Sequence, residues 1–499
     1  MNKVIKYSLL LLAITTSLVS CTKWIDLKPN DGIIREEFWQ TKEQVQAAVN
    51  GIYSSMLGST SGDLALPEYF FIWGEGRTDM VTPGFKASPQ EYEFVNVNIQ
   101  PNNNYTNWRA LYQTINYCNT LIELAPAVLK NDATFTKAQL DQAVAEATTI
   151  RSLMYFYLVR TFRDVPMKLT ATISDENIQP IPKTSGDSIL TQMVSDLKAS
   201  EAGLPYTYGN VNTDKGRVTR FTLNALLADI YLWQEKYAES ATECDKIIAS
   251  NRYGLVGGNN NLFNALYYQG NSSESIFELQ YDANKLNPFY YMHLASTRRW
   301  GASARLMDEV FGVDILNAIP KVDARGDGCA LRPSDLTIWK YVGANSYGNS
   351  MRAPDQSFAH WIFYRYADVL LMKAEAINQT GKSLEASRLV KTIRDRANAI
   401  DFNGTMDSTS KSGMEDFILQ ERQREFAFEG KRWYDVLRNA KRNNYAKVSY
   451  ILNMASISVP SDRQQVAFNK LRDKNSHYLP IYLYELQTNN LLVQNPFYK

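Results

Sequence analysis

Apolar residues recur at intervals of three and four residues in two separate stretches of the chain, which places them on one face of a helix. Each stretch holds two such runs, separated by a polar break at 234–236 and at 380–382. Gly381, within the second break, suits a left-handed helix C-cap. We therefore predict two antiparallel helix pairs. Their apolar positions are Leu223, Leu226, Leu227, Ile230, Tyr231, Tyr237, Ala241, Cys244 and Ile248 in the first pair, and Tyr366, Val369, Leu370, Ala374, Ala386, Leu389, Val390 and Ile393 in the second.

Three longer helices precede these pairs. The same spacing predicts them over Trp108–Leu124, Thr136–Phe162 and Thr184–Leu204. The second is followed by Pro166 and the third by Pro205, and proline cannot continue a helix because it lacks the N–H and clashes with the preceding turn.

Two stretches lack a helical period. Residues 58–100 and 251–354 are rich in Gly, Asn, Pro, Ser and aromatic residues. Loops of this length in a compact protein are usually functional or carry short strands. Each helix pair spans about 34 residues, the length of a tetratricopeptide unit. We expect a mainly α fold in which such pairs form a scaffold and long irregular insertions carry short strands.

The N-terminus reads as an export signal that ends at a cysteine. Lys3 and Lys6 precede an apolar run, Ser8–Leu18, which is shorter than the roughly 20 residues that span a bilayer. Leu18-Val19-Ser20-Cys21 resembles the lipobox of bacterial lipoproteins, and an ordinary secretory signal is the alternative. We expect a signal peptide at 1–20, lipid attachment at Cys21 and a tether over 21–40. Thr22 in place of Asp favours the outer membrane, with display at the cell surface only weakly supported.

Composition narrows the function further. The chain has 499 residues and a formal net charge of +1, so charge gives no reason to expect nucleic-acid binding. Cys118 and Cys244 fall inside helical patterns and are expected in the core, and with Cys329 they leave an odd number after Cys21. The histidines have no metal-ligand spacing, and the run 323–328 is expected to be a plain turn, not a calcium loop. We expect no metal and no cofactor.

Five blocks in order resemble the SusD/RagB family of outer-membrane nutrient-binding lipoproteins. The blocks are 147–166, Gly216–Thr219 with the helix that follows, Tyr364–Ala376 (YRYADVLLMKAEA), Glu421–Asp435 (ERQREFAFEGKRWYD) and Tyr478–Tyr498. Arg163 stands where the family has glycine, and Tyr482 replaces a proline. The resemblance covers the whole chain, and with it we divide the mature protein into an N-terminal helical region, 41–250, and a C-terminal region, 251–499, with a ligand-binding insertion at about 255–360.

The Glu421 block is expected to be structural. Its helix is expected to end at Gly430, with a second helix after it. Its charges stand at i, i+3 and i+4 spacings, which predicts ion pairs within the block that nearby aromatic side chains partly desolvate. The charged residues are Glu421, Arg424, Glu425, Glu429, Arg432, Asp435 and Arg438.

The resemblance implies a protein that binds oligosaccharide or polysaccharide at the cell surface, works with a SusC-like TonB-dependent transporter and catalyses nothing. RagB-like relatives handle peptides instead, so peptide cargo is the first alternative. An exported glycoside hydrolase would need two carboxylates about 5 to 10 Å apart across a cleft, and no motif marks such a pair. A scaffold that binds only proteins would bury its aromatics, and the long aromatic insertions argue against it.

Sugar rings offer an apolar face to aromatic side chains and a hydroxylated rim to planar polar groups. We therefore expect the glycan site in the insertions, where aromatic and polar residues lie close together in sequence. The candidates are Trp73, Tyr290, Tyr291, Trp300 and Trp339, with Arg77, Asp79 and Arg298 as polar partners. The remaining tryptophans are expected to pack: Trp24, Trp39, Trp108, Trp233, Trp361 and Trp433.

Overall fold

A computed structural model describes residues 38–58, 64–173, 178–258, 261–312, 321–344, 350–400 and 406–499. The export signal, Cys21, Trp24 and most of the tether lie outside these residues. No helix in the described ranges is both long and apolar enough to cross a membrane.

The architecture is mainly α, as expected. The helices before residue 250 are α1 (Lys42–Met56), α2 (Leu66–Glu75), α3 (Pro89–Val95), α4 (Arg109–Asn131), α5 (Lys137–Phe162), α6 (Gly186–Ser200), α7 (Val211–Gly216), α8 (Arg220–Trp233) and α9 (Tyr237–Ala249). Those that follow are α10 (Asn261–Phe263), α11 (Phe289–His293), α12 (Trp339–Val342), α13 (Tyr366–Gln379), α14 (Ser383–Arg396), α15 (Lys411–Glu425), α16 (Arg432–Tyr445), α17 (Ser449–Ser458), α18 (Gln464–Leu471) and α19 (Leu483–Thr488).

The strands are short and pair in twos, all antiparallel. They are β1 (Val81–Pro83) with β5 (Trp300–Ala302), β2 (Val165–Pro166) with β3 (Lys183–Thr184), β4 (Ser275–Leu279) with β8 (Trp361–Arg365), and β6 (Leu331–Arg332) with β7 (Thr337–Ile338). Five of these strands, β1, β4, β5, β6 and β7, lie in the two stretches that were expected to carry them.

Both predicted helix pairs are present, and they stack on each other. Helix α8 packs on α9 and α13 on α14, while α9 and α13 are also in contact. Gly381 has φ +86° after α13, as its C-cap role requires. A tetratricopeptide-like pair cannot bury its apolar face alone, so this contact between pairs completes the scaffold core.

Helix boundaries follow the local caps. Thr136 accepts a hydrogen bond from the backbone N–H of Gln139 and forms a capping box at the start of α5. Helix α4 is longer than predicted and continues through Pro126 to Asn131. Helix α15 ends at Glu425, five residues before the expected Gly430, and a turn joins it to α16.

The expectation that 58–100 is irregular was wrong. This stretch contains two helices, α2 and α3. Every residue of α2 is buried, glutamates included. Its apolar residues run without a break from Tyr69 to Trp73, so the sequence displays no amphipathic period there.

Helix α2 crosses the turn before α16 at very short range. A Cβ on Gly74 would collide with the backbone of Gly430, which itself has φ +69°. Oε1 of the Glu75 carboxyl group accepts hydrogen bonds from the N–H groups of Gly430 (2.9 Å) and Lys431 (3.3 Å). The stretch 58–100, which we call the first insertion, is thereby fixed to the Glu421 block.

Arg163 occupies a strained turn after α5. Its φ is +69° and ψ −73°, and the N–H of Asp164 donates to the carbonyl of Phe162, which forms a γ-turn of the rare strained kind. The guanidinium donates to Asp164 (3.0 Å) and Asn475 (2.9 Å). These bonds compensate part of the strain at a position where the resemblance leads us to expect glycine.

The three cysteines in the described ranges are buried and free. Burial raises the pKa of the Cys118 thiol to about 12 and that of Cys329 to about 11. Cys118 and Cys244 are core residues, as predicted.

Buried ion pairs connect the Glu421 block to the rest of the molecule. Arg365, at the end of β8, is 1% exposed and contacts the carboxylates of Glu274, Glu425 (2.6 Å) and Glu429 (3.0 Å). Arg325, which belongs to the stretch 251–354 that we call the second insertion, contacts Glu425 (2.9 Å). Burial alone would raise the pKa of Glu429, but the charges of Arg365 and its neighbours hold that pKa at about 2.

The expectation that these charges pair within their own block was largely wrong. Only Arg424–Glu421 and Arg438–Asp435 are i,i+3 pairs among the described ion pairs of the block. Most other partners come from β8, α13, α14 and the two insertions, and include Asp79, Arg325, Arg365, Asp368, Glu375, Arg394 and Arg396. Helical spacing reveals neighbours along one helix but not the side chains that another element brings to it.

Replacing Arg365 with methionine is expected to destabilise the protein by about 3–5 kcal/mol, because it leaves buried carboxylates without their main counter-charge. Urea unfolding followed by circular dichroism measures this change. Lys391→Met is the control, since Lys391 forms an exposed pair with Asp395 and should have little effect. Equal stability of the two variants would contradict a central role for the network.

The burial of Glu75 predicts that the stability of the fold depends on pH with a sign opposite to that of a carboxylate in an ordinary ion pair. Burial raises its pKa to about 8. The folded state therefore keeps a proton that the unfolded chain releases near pH 4.5, and stability falls as pH rises from there through 8.

Glu75→Gln should abolish this slope, which corresponds to roughly 1.4 kcal/mol per pH unit at its steepest. The glutamine oxygen can still accept from Gly430. Urea unfolding of both proteins at pH 5, 6.5 and 8 tests this. If the difference in free energy of unfolding between the unaltered protein and Glu75→Gln were the same at all three pH values, Glu75 would be ionised in the folded state.

Candidate functional site

Strands β1 and β5 join the two insertions. Their register places Val81 opposite Ala302 and Pro83 opposite Trp300. Most of the candidate site residues precede, follow or lie within these two strands. The structure thus brings the two groups of candidates to one region, although the side chains differ greatly in exposure.

Trp73 and Trp300 are both completely buried. The Trp73 ring packs against Tyr69 and Phe162, and its Nε1 donates to the carbonyl of Tyr105 (2.7 Å). The Trp300 carbonyl lies 3.0 Å from Nδ1 of the buried His293. Neither indole offers an open face to a ligand in this structure.

Arg77 and Asp79 bind other parts of the chain. The Arg77 guanidinium lies 3.7 Å from the centre of the Trp433 ring, and burial lowers its pKa to about 10. Both oxygens of Asp79 are used, by Arg432 (2.8 and 3.0 Å) and by Gln423 (3.0 Å). These two side chains attach the first insertion to α15 and α16.

Tyr290 and Trp339 are also buried. The Tyr290 hydroxyl donates to the carbonyl of Arg352 (2.9 Å). The guanidinium of Arg332 lies 4.7 Å from the centre of the Trp339 ring and covers it.

Tyr291 and Arg298 are the two candidates that solvent reaches. The Tyr291 side chain is 58% exposed. Arg298 is half-buried, and its Nη1 donates to the carbonyl of Asp335. The hydroxyl of Thr297 donates to the Tyr291 carbonyl (2.9 Å), which connects the segments that carry them.

Phe85 is an exposed aromatic residue that our sequence reasoning missed. It is 64% exposed and follows β1 in a tight turn. The N–H of Gly84 donates to the backbone carbonyl of Arg299 (2.7 Å) and that of Lys86 to the carbonyl of Arg298 (3.1 Å), so the turn lies against the segment after Tyr291. The dipeptide Pro83-Gly84 marked a turn in the sequence, but nothing there indicated that the next side chain points outward.

A shallow groove of about 470 Å³ adjoins this turn. Tyr92 of α3 lines it and is 44% exposed. The other lining residues are Ala87, Pro89, Glu93, Asn96, Asn98 and Arg463. We call Phe85, Tyr92, Tyr291 and Arg298, together with this groove, the rim surface.

A cluster of charged groups beneath the rim surface holds it together. Arg299 forms ion pairs with Glu68 of α2 (2.8 Å) and Glu91 of α3 (2.6 Å). The Arg299 N–H also donates to the carbonyl of Met292 (2.9 Å). The cluster therefore connects α2, α3 and α11 to the start of β5. Tyr92 projects from α3 and Tyr291 from α11, while Phe85 projects from the turn after β1.

A second cleft, of about 370 Å³, lies between the second insertion and α15–α17. Asp79 and Arg432 form part of its wall and are paired with each other, and Arg305 and Glu309 are paired as well. Its charges thus satisfy one another, whereas the rim surface presents aromatic rings to solvent.

The rim surface has the chemical elements that sugar binding requires. Phe85, Tyr92 and Tyr291 supply flat apolar faces, and Asn96 and Arg298 supply planar hydrogen-bonding groups. Because the aromatics project from short, firmly attached elements, a ligand would lose little energy in ordering them.

Comparisons with known proteins agree with this architecture. The sequence model of the SusD family matches residues 334–498, and a second model, described as "Starch-binding associating with outer membrane", matches residues 23–232. A SusD-like protein from Formosa agariphila is 26% identical over 489 residues, covering 88% of this chain and 92% of its own length.

Solved structures show the same fold. A SusD superfamily protein from Bacteroides vulgatus aligns with a TM-score of 0.76 at 23% identity, covering 92% of this chain and all of its own. A laminarin-binding SusD-like protein aligns with a TM-score of 0.66 at 20% identity over 92% of this chain. Two family models matched at opposite ends of the chain, together with this fold, establish that the chain belongs to the SusD/RagB family.

Proposed function

We propose that the protein captures glycan at the cell surface through the rim surface and delivers it to a TonB-dependent outer-membrane transporter, without catalysis. The observation that carries the proposal is the exposure of Phe85, Tyr92 and Tyr291 where the two insertions meet. Exposed apolar side chains are ordinary when they are scattered singly, but a group of them in one region marks an interaction site. The structural relative described as laminarin-binding supports a glycan as ligand.

The anchor and the partner belong to the same proposal. The description of the family model that matches residues 23–232 supports outer-membrane association. Acylation of Cys21 would hold the chain there, since more than one acyl chain makes attachment stable. The division into a signal peptide (1–20), a tether (21–40) and two helical regions (41–250 and 251–499) stays a prediction, as does the insertion at about 255–360.

Of the sequence candidates, Tyr291 and Arg298 stay in the proposed site. Phe85 and Tyr92 join them. The buried candidates would support the site from below, as Trp300 does through its pairing with Pro83.

Phe85→Ala and Tyr291→Ala should each weaken polysaccharide binding about three- to tenfold, the value of one aromatic stacking contact. Affinity electrophoresis of the chain starting at Thr22, through gels that each contain a different polysaccharide, measures this. We expect at least one polysaccharide to retard the unaltered protein in the gel. Absence of retardation by every polymer would favour the RagB-like peptide alternative.

Two control variants separate binding from folding. Tyr117→Ala removes a tyrosine that is 42% exposed on α4, outside the rim surface, and should leave binding unchanged. Trp73→Ala should lower stability by about 3–5 kcal/mol, since its ring is fully buried. If Tyr117→Ala weakened binding as much as Phe85→Ala, the rim surface would not be the site.

Cys21→Ser should release the protein from the membrane fraction and abolish incorporation of labelled palmitate, because the acylated thiol is lost. Cell fractionation and palmitate labelling in the native host measure the two effects. Cys329→Ser, at a buried position, is the control and should stay membrane-bound. Retention of Cys21→Ser in the membrane would point to another mode of attachment.

A further inference from the structure

More positively charged side chains than carboxylates border the rim surface, and three of the four cations form no ion pair among the described residues. From this we infer that the ligand is an acidic glycan, one that carries carboxylate or sulfate groups. The inference rests on the proposed function, since it specifies the ligand class of that same surface.

Two of these cations lie on the Phe85 side. Lys86 is exposed, and its Nζ is 5.8 Å from the centre of the Phe85 ring. Arg298 donates to a backbone carbonyl, not to a carboxylate. Among the described residues, neither Lys86 nor Arg298 forms an ion pair.

Two further cations lie at the groove. Arg463 lines it, and the carboxylate nearest to it is that of its own neighbour Asp462, at 3.8 Å. The Lys470 Nζ donates to the carbonyl of Val97 (3.2 Å) and to Oδ1 of Asn98 (2.6 Å), which fixes it beside a groove residue. No ion pair of Lys470 occurs within the described part of the chain.

The acidic groups nearby offset only part of this charge. Glu93 lines the groove and contributes a negative charge, and its Oε2 accepts from the N–H of Gln100 (3.0 Å) and from Asn103 (2.8 Å). Glu68 and Glu91 lie below the surface and are bonded to Arg299. Asp462 is exposed beside Arg463 and offsets part of its charge.

The excess of positive charge is a property of this surface and not of the whole chain. Over the whole chain 53 basic residues face 52 acidic ones, so a surface with more cations than carboxylates is not a consequence of composition. Charges act across about 8 Å at physiological ionic strength, which is comparable to the size of one or two sugar rings. An acidic sugar stacked on Phe85 or Tyr92 would thus lie within reach of these cations, whereas a neutral sugar would gain only the stacking.

The test compares matched ligands by isothermal titration calorimetry. The pairs are trigalacturonate with its neutral methyl ester, and a sulfated galactan oligosaccharide with its desulfated, neutral form. We expect the acidic member of at least one pair to bind about tenfold tighter at 50 mM salt, and the difference to shrink at 500 mM. The pair that responds identifies carboxylate or sulfate as the recognised group.

The double variant Lys86→Gln with Arg463→Gln should lose most of this preference while retaining the binding that stacking provides. Arg252→Gln removes an exposed cation elsewhere and serves as the matched control. Poly-glutamate is the non-sugar control and should bind weakly.

Outcomes that contradict the charge inference differ from the outcome that contradicts the proposed function. Equal or tighter binding of the neutral members would overturn the charge inference and leave glycan binding intact. Poly-glutamate binding as tightly as the acidic sugars would identify a general anion surface and refute the inference. No binding of any saccharide, acidic or neutral, by folded protein would refute the proposed function as well.

Discussion

The fold depends on the burial of charge around Arg365. This guanidinium stands where β8 runs into α13 and is shared by carboxylates from the second insertion and from the Glu421 block. Removing a charge from water is costly, and only complete pairing makes it tolerable. The scaffold, the turn before α16 and the second insertion must therefore assemble in one arrangement, because any other would leave a buried charge unpaired.

This constraint explains how irregular segments can present a defined surface. The first insertion is fixed by Glu75 and Asp79 to the block that Arg365 organises, and the second is fixed by Arg325. Between them, the β1–β5 pair and Arg299 position the exposed aromatics. The rim surface is thus rigid because of polar contacts that lie beneath it, and its outward side chains are free to differ without loss of the fold.

The sequence was sufficient for the amphipathic elements. Helices α5, α8, α9, α13 and α14 each have apolar residues at helical spacing, and each was predicted close to its observed bounds. Helix α2 was missed because its apolar residues run without a break from Tyr69 to Trp73, and the partners of Glu425 were missed because they lie far away in sequence. The site was only partly predictable for the same reason: Trp73 and Phe85 are both aromatic residues in the first insertion, and only the packing of α2 and β1 decides which of them meets solvent.

The burial of the cysteines has a practical consequence. In a chain that begins at Thr22, all the thiols are buried and, where burial raises their pKa towards 12, they remain protonated at neutral pH. A thiolate is the reactive form, so maleimide reagents would find no ready target in the folded protein. A single cysteine introduced on the surface could therefore carry a fluorophore selectively, which turns the molecule into a reporter of its own ligand.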